Sequence, residues 1–263
     1  MRPGPAAPRV PNVAPGLLES SAANPGSPCR SSRHSGRPRG GLFFCGAALF
    51  ALACPPPLRH NGLVMAKLYF SYAAMNAGKS TLLLQAAYNY RERGMRPLLY
   101  TSSLYVENGV GLIASRIGIS EPAELYSAED DLYQAIRDHL DEGKVDCVFV
   151  DEAQFLTPDQ VWQLARVSDR LKIPVMCFGL RTDFRGKLFP GSSELLAIAD
   201  VLREIRTICE CGAKATMVVR QSADGRVLAE GEQVSIEKSV YISLCRKHWE
   251  EAIGRWPAKG PST

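Results

Sequence analysis

The first 64 residues contain no lysine and a single acidic residue, Glu19, against seven arginines. Their net charge is +6, the whole chain carries +4, and residues 65–263 therefore carry −2. The basic balance belongs to the first quarter, so charge gives no argument for nucleic-acid binding by the rest. Long apolar runs are also missing. Gly41–Cys54 spans fourteen residues, short of the roughly 20 that a transmembrane helix needs. With Arg37 and Arg39 ahead of it the run resembles the apolar part of a signal peptide, but it begins far from Met1. Nor do the eight cysteines follow a secreted disulfide framework. Cys29, Cys45 and Cys54 lie in the arginine-rich part, Cys147 and Cys177 sit in apolar runs that suit small buried hydrophobes, and the other three cluster late. A cytoplasmic protein without a membrane partner is expected.

Residues 1–40 are rich in Pro, Gly, Ser, Ala and Arg and show neither helical nor strand period, a composition that cannot bury a core. Met65 opens MAKLYF, a natural start for a first strand. The expectation is that translation starts at Met65 and that residues 1–64 are an extension without a fold.

What is present begins at Ala73–Thr81, AAMNAGKST, between the apolar run Leu68–Tyr72 and a helix-like segment. A strand that feeds a Gly-Lys-Ser turn into a helix is the setting of a phosphate-binding loop. Backbone N–H groups cradle phosphate oxygens, the helix N-terminus adds partial positive charge, Lys79 neutralises the β/γ-phosphates and the Ser80 hydroxyl reaches Mg²⁺. The usual first glycine is replaced by Ala73. A second motif, Asp146–Asp151, reads as a buried parallel strand with a carboxylate at its end, where open α/β sheets bind ligands. Asp151 there suits Mg²⁺, and Glu152 follows it. The bland alternative is an ordinary acidic strand end.

From Met65 the pattern predicts strands at Lys67–Tyr72, Pro97–Thr101, Asp146–Asp151 and Ile173–Phe178. Helices are predicted at Thr81–Arg93, within Glu121–Glu142 from Pro122 on, from Thr157 to about Leu171, and at Ser193–Leu202, while Ser102–Ser120, with glycines at 109, 111 and 118, reads as loop with room for a short element. Thr157-Pro158-Asp159-Gln160 is a threonine cap with proline in the first turn and glutamine three residues on. The fold class expected is α/β: a P-loop parallel sheet flanked by helices, with a small zinc-bound β-hairpin lobe. The expected division is 65–206 for the nucleotide-binding domain, 207–253 for the lobe and 254–263 for a tail. In the lobe, Ala215–Arg220 and Gln233–Ile236 read as a hairpin with its turn signal at Ala223-Asp224-Gly225.

That hairpin is bracketed by Cys209-x-Cys211 and Cys245-x-x-His248. Three thiolates and an imidazole can make a closed tetrahedral Cys₃His site for structural Zn²⁺, which adds folding energy to a ribbon too small to bury its own core. The alternative is three unrelated reduced cysteines and a surface histidine.

The pieces YFSYAAMNAGKS, VDEAQF, FGLRTDFRGKLF, TICECG and SLCRKHW, in this order, resemble the zinc-containing thymidine kinases of the cytosolic and bacterial type, over roughly Met65 to Ile253. The resemblance implies transfer of the γ-phosphoryl group of ATP to the 5′-hydroxyl of thymidine, with deoxyuridine as a second substrate, and a homotetramer. It implies that Ala73, Ala74, Met75, Asn76, Ala77, Gly78, Lys79 and Ser80 line the ATP phosphates, with Asp151, Glu152, Ala153 and Gln154 nearby, and that Glu152 is the general base. It further implies that Met75, Phe155, Leu180 and Phe184 line the thymine pocket and that Tyr241 sits in a loop closing over the nucleoside. Cys209, Cys211, Cys245 and His248 match the zinc ligands. Two segments depart from the family pattern: Leu104–Glu107 lacks the usual Asp and Arg, and Glu237-Lys238 replace a pair of glycines.

The rival reading is a P-loop ATPase whose zinc ribbon binds nucleic acid. Such a ribbon should carry a basic stripe. Residues 209–248 hold six Lys or Arg against five Asp or Glu, which is no stripe.

Overall fold

The computed structural model describes residues 66–105, 110–222, 224–233 and 240–255, together with the backbone of 59–60 and 63–64. Residues 1–58, Val106 and Glu107, the pair Glu237-Lys238, the predicted strand Gln233–Ile236 beyond its first residue, and most of the tail lie outside the described residues.

Six parallel strands form the main sheet: β1 (Leu68–Ala73), β2 (Pro97–Ser102), β3 (Glu124–Tyr126), β4 (Cys147–Val150), β5 (Val175–Leu180) and β6 (Val201–Glu204). Their order across the sheet is β6-β1-β5-β4-β2-β3. The strand sequences explain the burial on both faces. In β1, Leu68 and Phe70 point into a cluster with Val148, Val150, Val175 and Cys177, covered by α2 (Leu132–Glu142), α3 (Pro158–Arg166) and α4 (Pro190–Ile198). Tyr69 points the other way and packs with Phe149, Met176 and Phe178 under α1 (Lys79–Glu92). Near-continuous apolar runs such as CVFV and VMCFGL are what a sheet covered on both sides requires.

The cap at Thr157 forms as its sequence predicts. Its side chain accepts from Gln160 N, while the Gln160 side chain accepts from Thr157 N, and Pro158 opens the helix. A wider, π-type turn, Val167–Leu171, then continues α3.

Two predicted helices differ. Residues 120–131 are not helical: Ser120–Pro122 pairs with Leu112–Ala114 as a hairpin inside the segment read as loop, and Glu124–Tyr126 is the edge strand β3 beside β2. The helix waits for Asp131, whose side chain accepts from Gln134 N. The helix expected at Ser193–Leu202 starts at Pro190 and ends at Ile198; Val201–Glu204 instead pairs with β1. In the late region, β7 (Met217–Gln221) turns back on β8 (Val227–Leu228) at the predicted turn and pairs on its other edge with β9 (Val240–Leu244). Helix α5 (Arg246–Ala252) closes the region, with Trp249 packed among Cys209, Ala215, Val219 and Leu244.

Candidate active site

The C-terminal ends of β1, β5 and β4 lie side by side, with Ala73 paired to Leu180 and Val150 to Cys177. The turn after β1 and the acidic pair after β4 therefore share one end of the sheet. Between them lies a cavity of about 320 Å³, lined by Met75 to Thr81, Glu152, Leu180 and the segment Ala114–Ile117.

Gly78 caps α1 with φ 81°, in the left-handed region where only glycine is unstrained, and Asn76 shares that region at φ 60°. Lys79 begins the helix and is buried; its ammonium reaches the Ala74 carbonyl at 3.5 Å. Burial lowers its pKa, and the negative charges of Glu152 and Asp151 oppose that fall.

Asp151 is 3% exposed, and its Oδ1 has no hydrogen-bond partner. Burial, reinforced by the neighbouring Glu152 charge, pushes its pKa up to about 7, while a hydrogen bond from Ser80 works in the other direction. An orphaned buried carboxylate oxygen beside a hydroxyl is a hard-oxygen donor set of the kind Mg²⁺ takes. The residues present therefore fit a cation.

Glu152 holds φ 52°, unusual for a side chain of its kind and worth about 1–3 kcal/mol of local strain. Its surroundings hold it there. The Tyr126 hydroxyl donates to the Glu152 carbonyl at 2.8 Å, and the Gln154 amide donates to its carboxylate at 2.5 Å. Gln154 is itself fixed, because its Oε1 accepts from Leu180 N at 2.9 Å. This approach needs Gly179: a Cβ there would stand 3.0 Å from both the Gln154 backbone N and its Oε1. Ala153 is buried in the core, behind the cavity wall.

Sequence reasoning missed the fourth wall. The hairpin that starts at Leu112 turns through Ser115–Ile119 and places Arg116 at the cavity rim. Thr81 and Ser115 share a hydroxyl–hydroxyl hydrogen bond, and Arg91 pairs with Glu121, so the hairpin is tied to α1 at two points. No local pattern marks Arg116. Its position comes from contacts made some 30 residues away in sequence. Leu104 lies in a short helical turn, Ser103–Tyr105, and is exposed.

Of the residues expected against the nucleoside, Met75 and Leu180 line the cavity. Phe155 meets Phe189 edge-on at 5.8 Å between ring centroids. Phe184 is buried, with the Arg220 guanidinium 4.3 Å above its ring, and Tyr241 reaches the phosphate loop through its carbonyl, which accepts from Asn76 at 3.3 Å.

Cys209, Cys211, Cys245 and His248 come together: their ligand atoms all lie within 4.8 Å of one another. Cys209 Sγ is 3.2 Å from His248 Nδ1, and the sulfurs of Cys211 and Cys245 are 3.9 Å apart. Burial acts to raise the Cys209 thiol, but hydrogen bonds from the Cys211 and Cys245 backbones and from His248 outweigh it and bring it to about 6. A thiol that ionises this readily, in a closed Cys₃His set, fits zinc.

The family model described as thymidine kinase matches residues 66–249. A thymidine kinase of Mesorhizobium japonicum is 65% identical over 191 residues, 73% of this chain and 94% of that protein. One from Ruegeria pomeroyi is 62% identical over 197 residues, 74% of this chain and the whole of that protein. Among solved structures, a replication initiator DnaA bound to AMPPCP and single-stranded DNA covers 54% of this chain and 40% of its own at 21% identity and a TM-score of 0.32, too slight an overlap to bear on the site. The match across the phosphate loop, the acidic pair and the cysteine cluster together means that the chain belongs to the thymidine kinase family.

Proposed function

We propose that this chain transfers the γ-phosphoryl group of ATP to the 5′-hydroxyl of thymidine, with deoxyuridine as a second substrate. The observation that carries this reading is the single cavity that holds both the Gly78-Lys79-Ser80 turn and the Glu152 carboxylate. A phosphate cradle and a proton acceptor facing the same space are what hydroxyl phosphorylation requires.

Lys79 neutralises the β- and γ-phosphates, while the backbone from Ala73 to Gly78 wraps them. Ser80 and Asp151 would hold Mg²⁺, which when bound offsets phosphate charge. Glu152 accepts the proton of the 5′-hydroxyl as its oxygen bonds to the γ-phosphorus and the bond to the β-bridging oxygen breaks. Gln154 keeps that carboxylate aimed, and Tyr126 holds the Glu152 backbone. Arg116, at the rim, supplies a second positive charge to the triphosphate. Met75, Phe155, Leu180 and Phe184 would flank the thymine base, and Tyr241 would cover the nucleoside.

Cys209, Cys211, Cys245 and His248 would hold a structural zinc, with all four positions filled by protein. We also infer a nucleotide-binding domain over 65–206 with a zinc lobe over 207–253, a homotetramer, a cytoplasmic location and no nucleic-acid partner. Among the described residues no helix is long and apolar enough to cross a membrane. The near balance of charge over residues 209–248 supports the kinase reading over a nucleic-acid-binding ATPase. A coupled ADP-release assay with thymidine, deoxyuridine and the other deoxynucleosides separates the two. ADP released without any nucleoside, and stimulated by single-stranded DNA, would favour the ATPase.

A further inference from the structure

Two hydrogen bonds join the phosphate loop to β9, far apart in sequence. Ser243 Oγ donates to the Met75 carbonyl at 2.5 Å, over a sequence separation of 168, and Asn76 Nδ2 donates to the Tyr241 carbonyl at 3.3 Å, over a separation of 165. Both loop residues line the cavity, and Asn76 holds a left-handed backbone that must be fixed by its neighbours.

Strand β9 is held firmly on its other side. It pairs with β7 from Met217↔Leu244 to Gln221↔Val240, which sets Tyr241 opposite Arg220 and Ser243 opposite Val218. Arg220 is buried, lies against the Phe184 ring and donates to the Glu232 carbonyl at 3.1 Å. Trp249 Nε1 donates to the carbonyls of both Val218 and Phe184 at 3.1 Å. The β7–β9 ladder thus touches Phe184 through Arg220 and Trp249, and touches Met75 and Asn76 through Ser243 and Tyr241. One element contacts both the phosphate loop and Phe184, which is buried outside the cavity lining.

We propose that Ser243 is a positioning residue for ATP binding: it fixes the phosphate loop to the β7–β9 ladder, so that nucleoside and ATP bind cooperatively. The inference rests on the reading above, in which Phe184 faces the nucleoside and Met75 to Ser80 face ATP. A ligand that settles Phe184 steadies the ladder, and the ladder steadies the Met75 carbonyl. By linkage, the factor by which thymidine tightens an ATP analogue equals the factor by which the analogue tightens thymidine.

The test compares the full chain with its Ser243→Ala, Ser243→Thr and Asn76→Gly variants. Calorimetry gives the affinity for a non-hydrolysable ATP analogue with and without thymidine, steady-state assays give KM for ATP and kcat, and melting and zinc content monitor the fold. Ser243→Ala is expected to raise KM for ATP and weaken the analogue about three- to tenfold, the range of one hydrogen bond. It should also shrink the thymidine effect towards none while kcat at saturation holds. Ser243→Thr, which keeps the hydroxyl, should restore both. Asn76→Gly keeps the left-handed backbone and loses the donor, and should also reduce the coupling, which serves if Ser243→Ala fails to fold. The proposal is overturned by wild-type analogue affinity and coupling in Ser243→Ala, or in Asn76→Gly if only that variant folds. Equal impairment of the alanine and threonine variants overturns it too, because packing would then account for the effect. A wild-type chain that binds the analogue but phosphorylates no nucleoside sinks the functional reading instead, and the analogue affinities of the variants still decide the role of Ser243.

Discussion

At the scale of single residues, the site is a set of groups held where they are costly. Glu152 keeps a left-handed backbone and Asp151 a buried carboxylate, and neighbours hold both in place. Removing a general base typically costs about 10²–10⁴-fold in rate. Glu152→Gln is therefore expected to lose most turnover in the ADP-release assay while an ATP analogue still binds; near-normal turnover would contradict the role. Asp151 makes a prediction about pH. Its pKa in the fold is raised to about 7, above the ordinary carboxylate value of about 4. Its proton therefore favours the fold, fully below about pH 4, and that contribution is lost as pH rises towards 7. Without metal or nucleotide, the wild-type chain should lose stability relative to Asp151→Asn across that window, measured by denaturant melts at each pH. Parallel pH profiles for the two would remove burial as the cause. The positions of Lys79, Ser80, Asp151 and Glu152 at one end of the sheet were legible in the sequence, because each sits at a strand end or helix start that its own segment defines. The sequence did not reveal Arg116, Tyr126 or Ser243, whose partners are brought close only by the fold.

At the scale of elements, the long apolar strands and the capped helix α3 were legible because their signals are local. The edge strands were not. Glu124–Tyr126 and Val201–Glu204 are three and four residues long, and they exist through backbone pairing with β2 and β1. Their sequences do not alternate strongly enough to declare a strand. The junctions between elements are also constrained. Gly191, in the first turn of α4, lies where a Cβ would stand 2.6 Å from the Leu156 carbonyl oxygen and 2.7 Å from that of Ala153. Backbone cannot yield there without moving the turn that carries Glu152. Gly191→Ala should destabilise the chain by about 1–3 kcal/mol, the cost of overpacking a closed site, and lower kcat with it. A chemical melt unchanged from wild type would show that α4 can shift freely.

At the scale of the whole molecule, the sheet supplies one end for chemistry, and the late β7–β9 ladder leans over it through Trp249, Arg220 and Ser243. The small cluster around Trp249 contains few large apolar side chains, so a bound metal should contribute much of its stability. Metal analysis is expected to find one zinc per chain. Stripping it with a chelator should lower the melting temperature and raise KM for thymidine more than KM for ATP, and a zinc-free chain that melts and turns over as before would contradict the ligand assignment. Nucleoside phosphorylation at the cavity between Lys79 and Glu152 is tested most directly by incubating the purified chain with ATP, Mg²⁺ and thymidine and identifying the products. Equal amounts of ADP and thymidine 5′-monophosphate are expected, abolished in Glu152→Gln. ADP formed without phosphorylated nucleoside, or no ADP at all, would contradict that activity.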